Sequence, residues 1–133
     1  MFASNAEGYH EYRPPLSAEV VRWLGLVPGW KAVDVGAGTG QAAQMLNALG
    51  AEVIAIEPDQ ALCGVMKSRH DGLDVRLGSA EALPVGDGSV DLVLSVSGWH
   101  WFDQGRASSE AERVLRPGGI LAIVGNGVDR SDP

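Results

Sequence analysis

The chain has 133 residues, a single cysteine (Cys63) and a formal charge of −7, which bounds it to one domain able to bury roughly two thirds of its unfolded surface without a disulfide framework. The acidic balance argues against a nucleic-acid backbone as partner, because such binding is dominated by Lys and Arg neutralising phosphates. With no long apolar run and no apolar leader-like segment, the expectation is a cytoplasmic chain forming one domain over residues 1–133, with no membrane contact, no metal site, and a small molecule or another protein as partner.

Residues 1–15 carry Tyr9, His10, Tyr12 and Arg13 beside Pro14 and Pro15; proline fixes φ and removes a donor, so this stretch reads as an arm rather than a helix. Ser17 is a helix N-cap, with Val20, Val21 and Leu24 turned inward and Pro28-Gly29 as the stop. The apolar run Ala32-Val33-Asp34-Val35 ends in glycines at alternate positions, Gly36, Gly38 and Gly40, and the segment after them holds Ala42, Met45, Leu46 and Leu49 at helical spacing. These periods spell buried strand, tight turn, helix. Glycine serves where backbone takes positive φ or approaches a ligand, and the free N–H groups of the following helix face the same space. Gly50 suits a left-handed helix end.

Glu52-Val53-Ile54-Ala55-Ile56-Glu57 reads as a second strand, and its last residue is an acid about twenty residues beyond the first glycine, where a βαβ unit brings an acid to a ribose. The glycines nevertheless run G-x-G-x-G rather than G-x-G-x-x-G, and Asp34 just before them would repel a pyrophosphate while suiting a cationic amino group. That spacing, with no Tyr-x-x-x-Lys pair, argues against a nicotinamide-dependent reductase. Asp59 caps the next helix, whose Leu62, Val65 and Met66 face inward, so Met66 and Cys63 read as packing. A short third strand, Val75-Arg76-Leu77, lies at a sheet edge; residues 84–89 form a loop with an Asp87-Gly88 turn. The fourth strand, residues 90–96, leads into the aromatic loop Gly98-Trp99-His100-Trp101-Phe102-Asp103, a helix with Ala111, Val114 and Leu115 on one face, the turn Pro117-Gly118-Gly119, and a fifth strand over residues 120–124. Alternating strands and helices demand a parallel sheet with right-handed crossovers, hence a three-layer α/β sandwich of order 3-2-1-4-5. Ligands bind at the carboxyl ends of strands beside the point where such an order reverses, a crevice lined here by residues 36–40, Glu57 and residues 97–101.

Four blocks in this order carry a resemblance: Asp34-Val35-Gly36-Ala37-Gly38-Thr39-Gly40; Glu57-Pro58-Asp59; Gly78-Ser79-Ala80-Glu81-Ala82-Leu83-Pro84 leading to Asp91-Leu92-Val93; and Arg113-Val114-Leu115-Arg116-Pro117-Gly118-Gly119. Together they resemble the motifs of class I S-adenosylmethionine (SAM)-dependent methyltransferases. The nearer likeness is to the type-11, small-molecule group, including enzymes similar to trans-aconitate methyltransferase, where Tyr-Arg-Pro near the start and His-Trp after the fourth strand recur, here Tyr12-Arg13-Pro14 and His100-Trp101.

The resemblance implies SAM as cofactor, a small-molecule methyl acceptor, and a cofactor site at Asp34, Gly36, Ala37, Gly38, Gly40, Glu57, Pro58, Ser79, Ala80, Glu81 and Ser97. Glu57 accepts from the ribose hydroxyls; Asp34 either holds the methionine ammonium or binds main-chain N–H groups of the glycine turn. Where the family often has Asp in the third block this chain has Ser79, a weaker acceptor for the adenine amino group, while the Ala80 N–H is placed to donate to a ring nitrogen; Glu81 is either a substitute acceptor or a solvated acid at a helix start. His100 is the crevice residue suited to be a general base, or it packs between Trp99 and Trp101, which in turn enclose an apolar acceptor or belong to the core. The arm of residues 1–15 is a lid over the cofactor or a surface segment. Family members continue past the fifth strand into an antiparallel hairpin that this chain lacks, and residues 120–124 contain no Lys, Pro or charge to blunt an edge. The expectation is a truncated piece, or an edge covered by a second copy, with association through the fifth strand in either case. A SAM-binding module without turnover is the alternative to an enzyme.

Overall fold

The computed structural model describes residues 16–125; the arm and its lid reading, and the tail from residue 126, lie outside them. Helix α1 (Ala18–Leu24) starts where Ser17 Oγ accepts the Val20 N–H at 3.1 Å, and it stops earlier than expected, at Gly25, whose φ of 65° reverses the chain ahead of Pro28. Leu24 is buried, while Val20 and Val21 are half-buried against the core. Strand β1 (Lys31–Val35), helix α2 (Gln41–Ala48), strand β2 (Glu52–Glu57), helix α3 (Gln60–Arg69) and strand β3 (Asp74–Leu77) follow. Strand β4 (Val90–Val96), a single 3₁₀ turn (Trp99–Trp101), helix α4 (Gln104–Val114) and strand β5 (Leu115–Val124) complete the described chain.

All five strands are parallel in the order β3-β2-β1-β4-β5. Side chains alternate across the sheet with period two. Ala32, Val53, Ala55, Leu92 and Leu94 meet α1, α2 and α3 on one face through Leu24, Leu46 and Met66. Val33, Val35, Ile56 and Val93 meet Ala107, Ala111 and Val114 of α4 on the other. Helices thus cover both faces, and the order reverses between β1 and β4, opening the crevice at their carboxyl ends.

Two local readings change. Leu49 is 42% exposed, because α2 closes at residue 48 in a Schellman-type end: the Ala51 N–H reaches the Leu46 carbonyl and the Gly50 N–H the Asn47 carbonyl. The fifth strand begins at Leu115 rather than at residue 120, since Val90 pairs with Leu115 and Leu92 with Ile120, leaving residues 116–119 as a bulge between them. Gly118, at φ 84°, makes the bulge, and a Cβ on Gly119 would lie 3.1 Å from the Asp91 carbonyl oxygen. Leu115 therefore leaves the helix face that its spacing suggested. The same change gives β5 an Arg and a Pro in its first half, of the kind that blunts an edge, although Ile123 in the second half is 47% exposed.

Charged residues secure this frame away from the crevice. Asp91, 8% exposed at the start of β4, accepts the Lys31 N–H at 2.8 Å and pairs with Arg116, joining three strands at their amino ends. Arg113 donates to the Leu83 and Val85 carbonyls, to Asp87 Oδ1 at 2.6 Å and to both oxygens of Glu110, while Glu110 accepts the Leu83 N–H at 2.8 Å. The Arg113 guanidinium holds the Glu110 carboxyl below its usual range. The block that opens with Arg113 is thus a staple for the loop before β4. Among the described residues no helix is long and apolar enough to cross a membrane.

Candidate active site

The crevice is built outward from β1. Val35 ends the strand, and the chain turns through Gly36, Gly38 and Gly40 at φ 72°, 62° and 94°, where a side chain would be strained. The turn is anchored to β2: the Gly36 and Ala37 N–H groups both donate to the Ile56 carbonyl, at 2.8 and 3.0 Å. Glu57, 6% exposed, accepts the Gly38 N–H through Oε1 at 2.8 Å and the Asp59 N–H through Oε2 at 3.1 Å. Each carboxylate oxygen has lone pairs for a second donor, so Glu57 both fixes the turn and still offers acceptors. Asp59 accepts from Ala61 and Leu62 as the N-cap of α3, and Pro58 is exposed between the two acids.

Asp34 lies one residue inside β1 and is 2% exposed. Burial first, and then the negative charge of Glu57, raise its pKa from 3.8 to about 7 against the opposing pull of the Ala43 N–H. Among the described residues its Oδ2 has no hydrogen-bond partner, and neither do buried Thr39 Oγ1, Gln41 Oε1 and Ser95 Oγ. Buried polar atoms are ordinarily satisfied, so Asp34 Oδ2, at the foot of the glycine turn, is an acceptor left for a ligand's donor. Among the described residues, its chain neighbours aside, no atom lies within 4 Å of where a Cβ on Gly38 would be. Gly40 differs: its Cβ would meet Met66 Cγ at 2.6 Å and His70 Cδ2 at 2.9 Å, so its missing side chain makes room for α3. Two adjacent acids, unpartnered acceptors and open main chain fit a ligand that carries a cationic amine and vicinal hydroxyls, which is the donor set of SAM.

The third block closes the β3 side. Ser79 and Ala82 form an isolated antiparallel bridge, Ala80 is buried, and the Pro84 ring packs within 2.8 Å of where a Gly78 Cβ would be. No helix starts here: Glu81 Oε2 instead accepts the Asp103 N–H at 2.8 Å, so the helix-start reading gives way to a tie between this turn and the N-cap of α4. Across the reversal point, Ser97 leaves β4 at φ 62° with its N–H on the Val124 carbonyl. The Phe102 ring lies 3.4 Å from where a Gly36 Cβ would be and stands edge-on to Trp99, which joins the aromatic loop to the glycine turn. His100 is exposed with its ring tilted on Trp101, 4.8 Å between centroids, and Trp101 is 78% exposed. Thus Trp99 borders the core, whereas Trp101 does not. A cavity of about 310 Å³ opens between Ser97, Gly98, Trp99 and His100 and the end of β5, at Ile123, Val124 and the following Gly125.

The sequence places Thr39 in the lining of the crevice without a role and leaves out Gln41 and His70. Only the glycine spacing around Thr39 and Gln41 hinted at those two, and nothing local pointed to His70, whose place depends on how α3 packs.

Residues 33–123 match the model of a methyltransferase domain family. An uncharacterized methyltransferase of Mycobacterium tuberculosis is 38% identical over 125 residues, 94% of this chain and 51% of that protein. The malonyl-acyl-carrier-protein O-methyltransferase of Methylococcus capsulatus is 41% identical over 109 residues, 77% of this chain and 39% of the other. A SAM-dependent methyltransferase of Thermotoga maritima superposes with a TM-score of 0.74 at 30% identity, covering 92% of this chain and 57% of that one. A structure from Methanococcus maripaludis gives a TM-score of 0.79 at 20% identity, a likeness of fold alone. The chain spans about half the length of the curated relatives it matches. With the strand order, the glycine turn, the acid ending β2 and a match across most of the described residues, the chain belongs to the class I SAM-dependent methyltransferases.

Proposed function

We propose that this domain binds SAM across the ends of β1, β2 and β3 and promotes methyl transfer to a small-molecule acceptor seated beside Trp99 and His100. The observation that carries the reading is the buried pair Asp34 and Glu57, with Asp34 Oδ2 unpartnered among the described residues beside a glycine turn that they leave open at Gly38. Asp34 would take the amino group of the ligand, Glu57 its ribose hydroxyls, and the Ser79–Ala80 turn its base, with Ser79 a weaker acceptor than the acid often found there. SAM supplies an electrophilic methyl group on a sulfonium. The protein's own task is then chiefly to hold an acceptor in line and exclude water, since orientation alone supplies much of the rate in such displacements.

The cavity of about 310 Å³ suits a small acceptor, and its walls are aromatic, aliphatic and main chain, with His100 as the titratable group among them. If the acceptor must lose a proton, His100 would accept it, a role supported by its exposure and its place in the lining of that cavity.

Calorimetry with SAM and with S-adenosylhomocysteine tests the cofactor half, and a methylation screen against a metabolite pool tests the acceptor half. Glu57→Gln should weaken binding of either ligand about ten- to a hundredfold, the worth of charge-assisted bonds. Unchanged affinity in that variant would take Glu57 out of the site. Binding without methylation of any acceptor would move the reading to a cofactor-binding module.

A further inference from the structure

The glycine turn is gripped from a direction that the sheet does not supply. Helix α3 ends at Arg69, and the next residue, His70, sets its ring against the turn: Nε2 lies 3.1 Å from the Thr39 carbonyl oxygen. A carbonyl offers only lone pairs, so Nε2 carries a proton and donates it. The same ring, with Met66, fills the space that a side chain on Gly40 would need. Met66 is fully buried, so this end of α3 is fixed in place.

Bonds from β2 hold only the first half of the turn, through Gly36, Ala37 and Gly38. Beyond that point the Gly40 N–H folds back on the Ala37 carbonyl, and among the described residues His70 makes the one hydrogen bond reaching residues 39–40 from outside the turn and its helix. Glycines on either side of Thr39 sit at φ 62° and 94°, and glycine leaves such a conformation at little cost. A ligand that needs one conformation binds more weakly in proportion to the fraction of time that conformation is present.

We propose that His70 is a positioning residue for the cofactor cradle: by donating to the Thr39 carbonyl it keeps residues 38–40 in the conformation that leaves the main chain open at Gly38, beside Glu57. The inference rests on the cofactor reading above. His70→Leu keeps bulk against Gly40 without a donor; His70→Gln keeps a donor. Calorimetry with S-adenosylhomocysteine should show about three- to tenfold weaker binding for His70→Leu, the net worth of one hydrogen bond, and restoration to within about twofold for His70→Gln. Thermal melts of both variants establish that affinity is read on folded protein, at a temperature well below either midpoint. Wild-type affinity in His70→Leu, or an equal loss in His70→Gln, overturns the positioning role while the cofactor reading stands. If the wild-type chain itself fails to bind S-adenosylhomocysteine, the cofactor reading falls and this role with it. Long-range proton–nitrogen NMR of the wild type needs no variant: a ring protonated at Nε2 is expected, and one protonated at Nδ1 alone overturns the proposal.

Discussion

Replacing Asp34 by Asn tests the electrostatics of the crevice most directly. The wild-type carboxyl is 2% exposed, and burial together with Glu57 moves its pKa from 3.8 to about 7. The native state therefore holds this proton more tightly than the unfolded chain. Its stabilising effect is full below the unfolded pKa, falls as pH rises from about 4, and is gone once pH passes the native value of about 7. About three pKa units at about 1.36 kcal/mol each give at most about 4 kcal/mol, of which about 3 kcal/mol falls between about pH 4.5 and 8.5. Asn has nearly the same shape and does not titrate. Urea unfolding of both proteins across that range should show the variant gaining on the wild type by about 3 kcal/mol, levelling off above about pH 7.5. A difference that stays flat with pH would mean that Asp34 does not hold the proton, and the account of a charge-starved cation site would go with it. With a cationic ligand bound the pKa should fall again, so binding at pH 7 should release about half a proton, read from calorimetry in buffers of different ionisation enthalpy.

Gly38→Val should abolish S-adenosylhomocysteine binding in a chain that still folds, because the new side chain projects into space that the described residues leave open; normal binding would reduce the glycine turn to a connection. His100→Gln should lower turnover about 10²–10⁴-fold with cofactor affinity unchanged when the acceptor is one that loses a proton; a smaller loss would assign the ring to packing. Ser97→Gly should raise stability by about 0.5–1 kcal/mol by relieving a non-glycine residue at φ 62°, and should lower turnover if that strain aims the aromatic loop. Denaturant melts and single-turnover rates check the two halves separately.

The sheet was legible because parallel strands buried on both faces leave near-continuous apolar runs, as in residues 90–96, and because the glycine turn and Glu57 follow two of them at fixed offsets. What stayed hidden depended on contacts between distant segments. Gly40 looks like its neighbours in the sequence, yet its bare Cα makes room for Met66 of α3 and for His70 just beyond it, about thirty residues on. Glu81 reads as a helix-start acid until Asp103, 22 residues later, is seen to donate to it. Pro117-Gly118-Gly119 spells a turn by local rules, and only pairing with Val90 and Leu92 turns it into a bulge inside β5. Leu49 has helical spacing, but the Gly50 reversal ends the helix first.

The central place of β1 also sets an order of events during synthesis. β1 pairs on one side with β2, which follows within about twenty residues, and on the other with β4, joined to it by a link between Lys31 and Asp91 that spans 60 residues. At ~5–20 residues per second a growing chain therefore spends some seconds with β2 in place and β4 not yet made. Pairings of such long span close late, since loop entropy must be overcome before contacts form. During that interval Asp34, whose partner across the sheet is Leu94, lacks one of its walls. Docking of β4 adds to the burial that raises the carboxyl's hold on a proton, so proton uptake near neutral pH is expected to accompany that step, and stopped-flow refolding with a pH indicator can read it without any ligand.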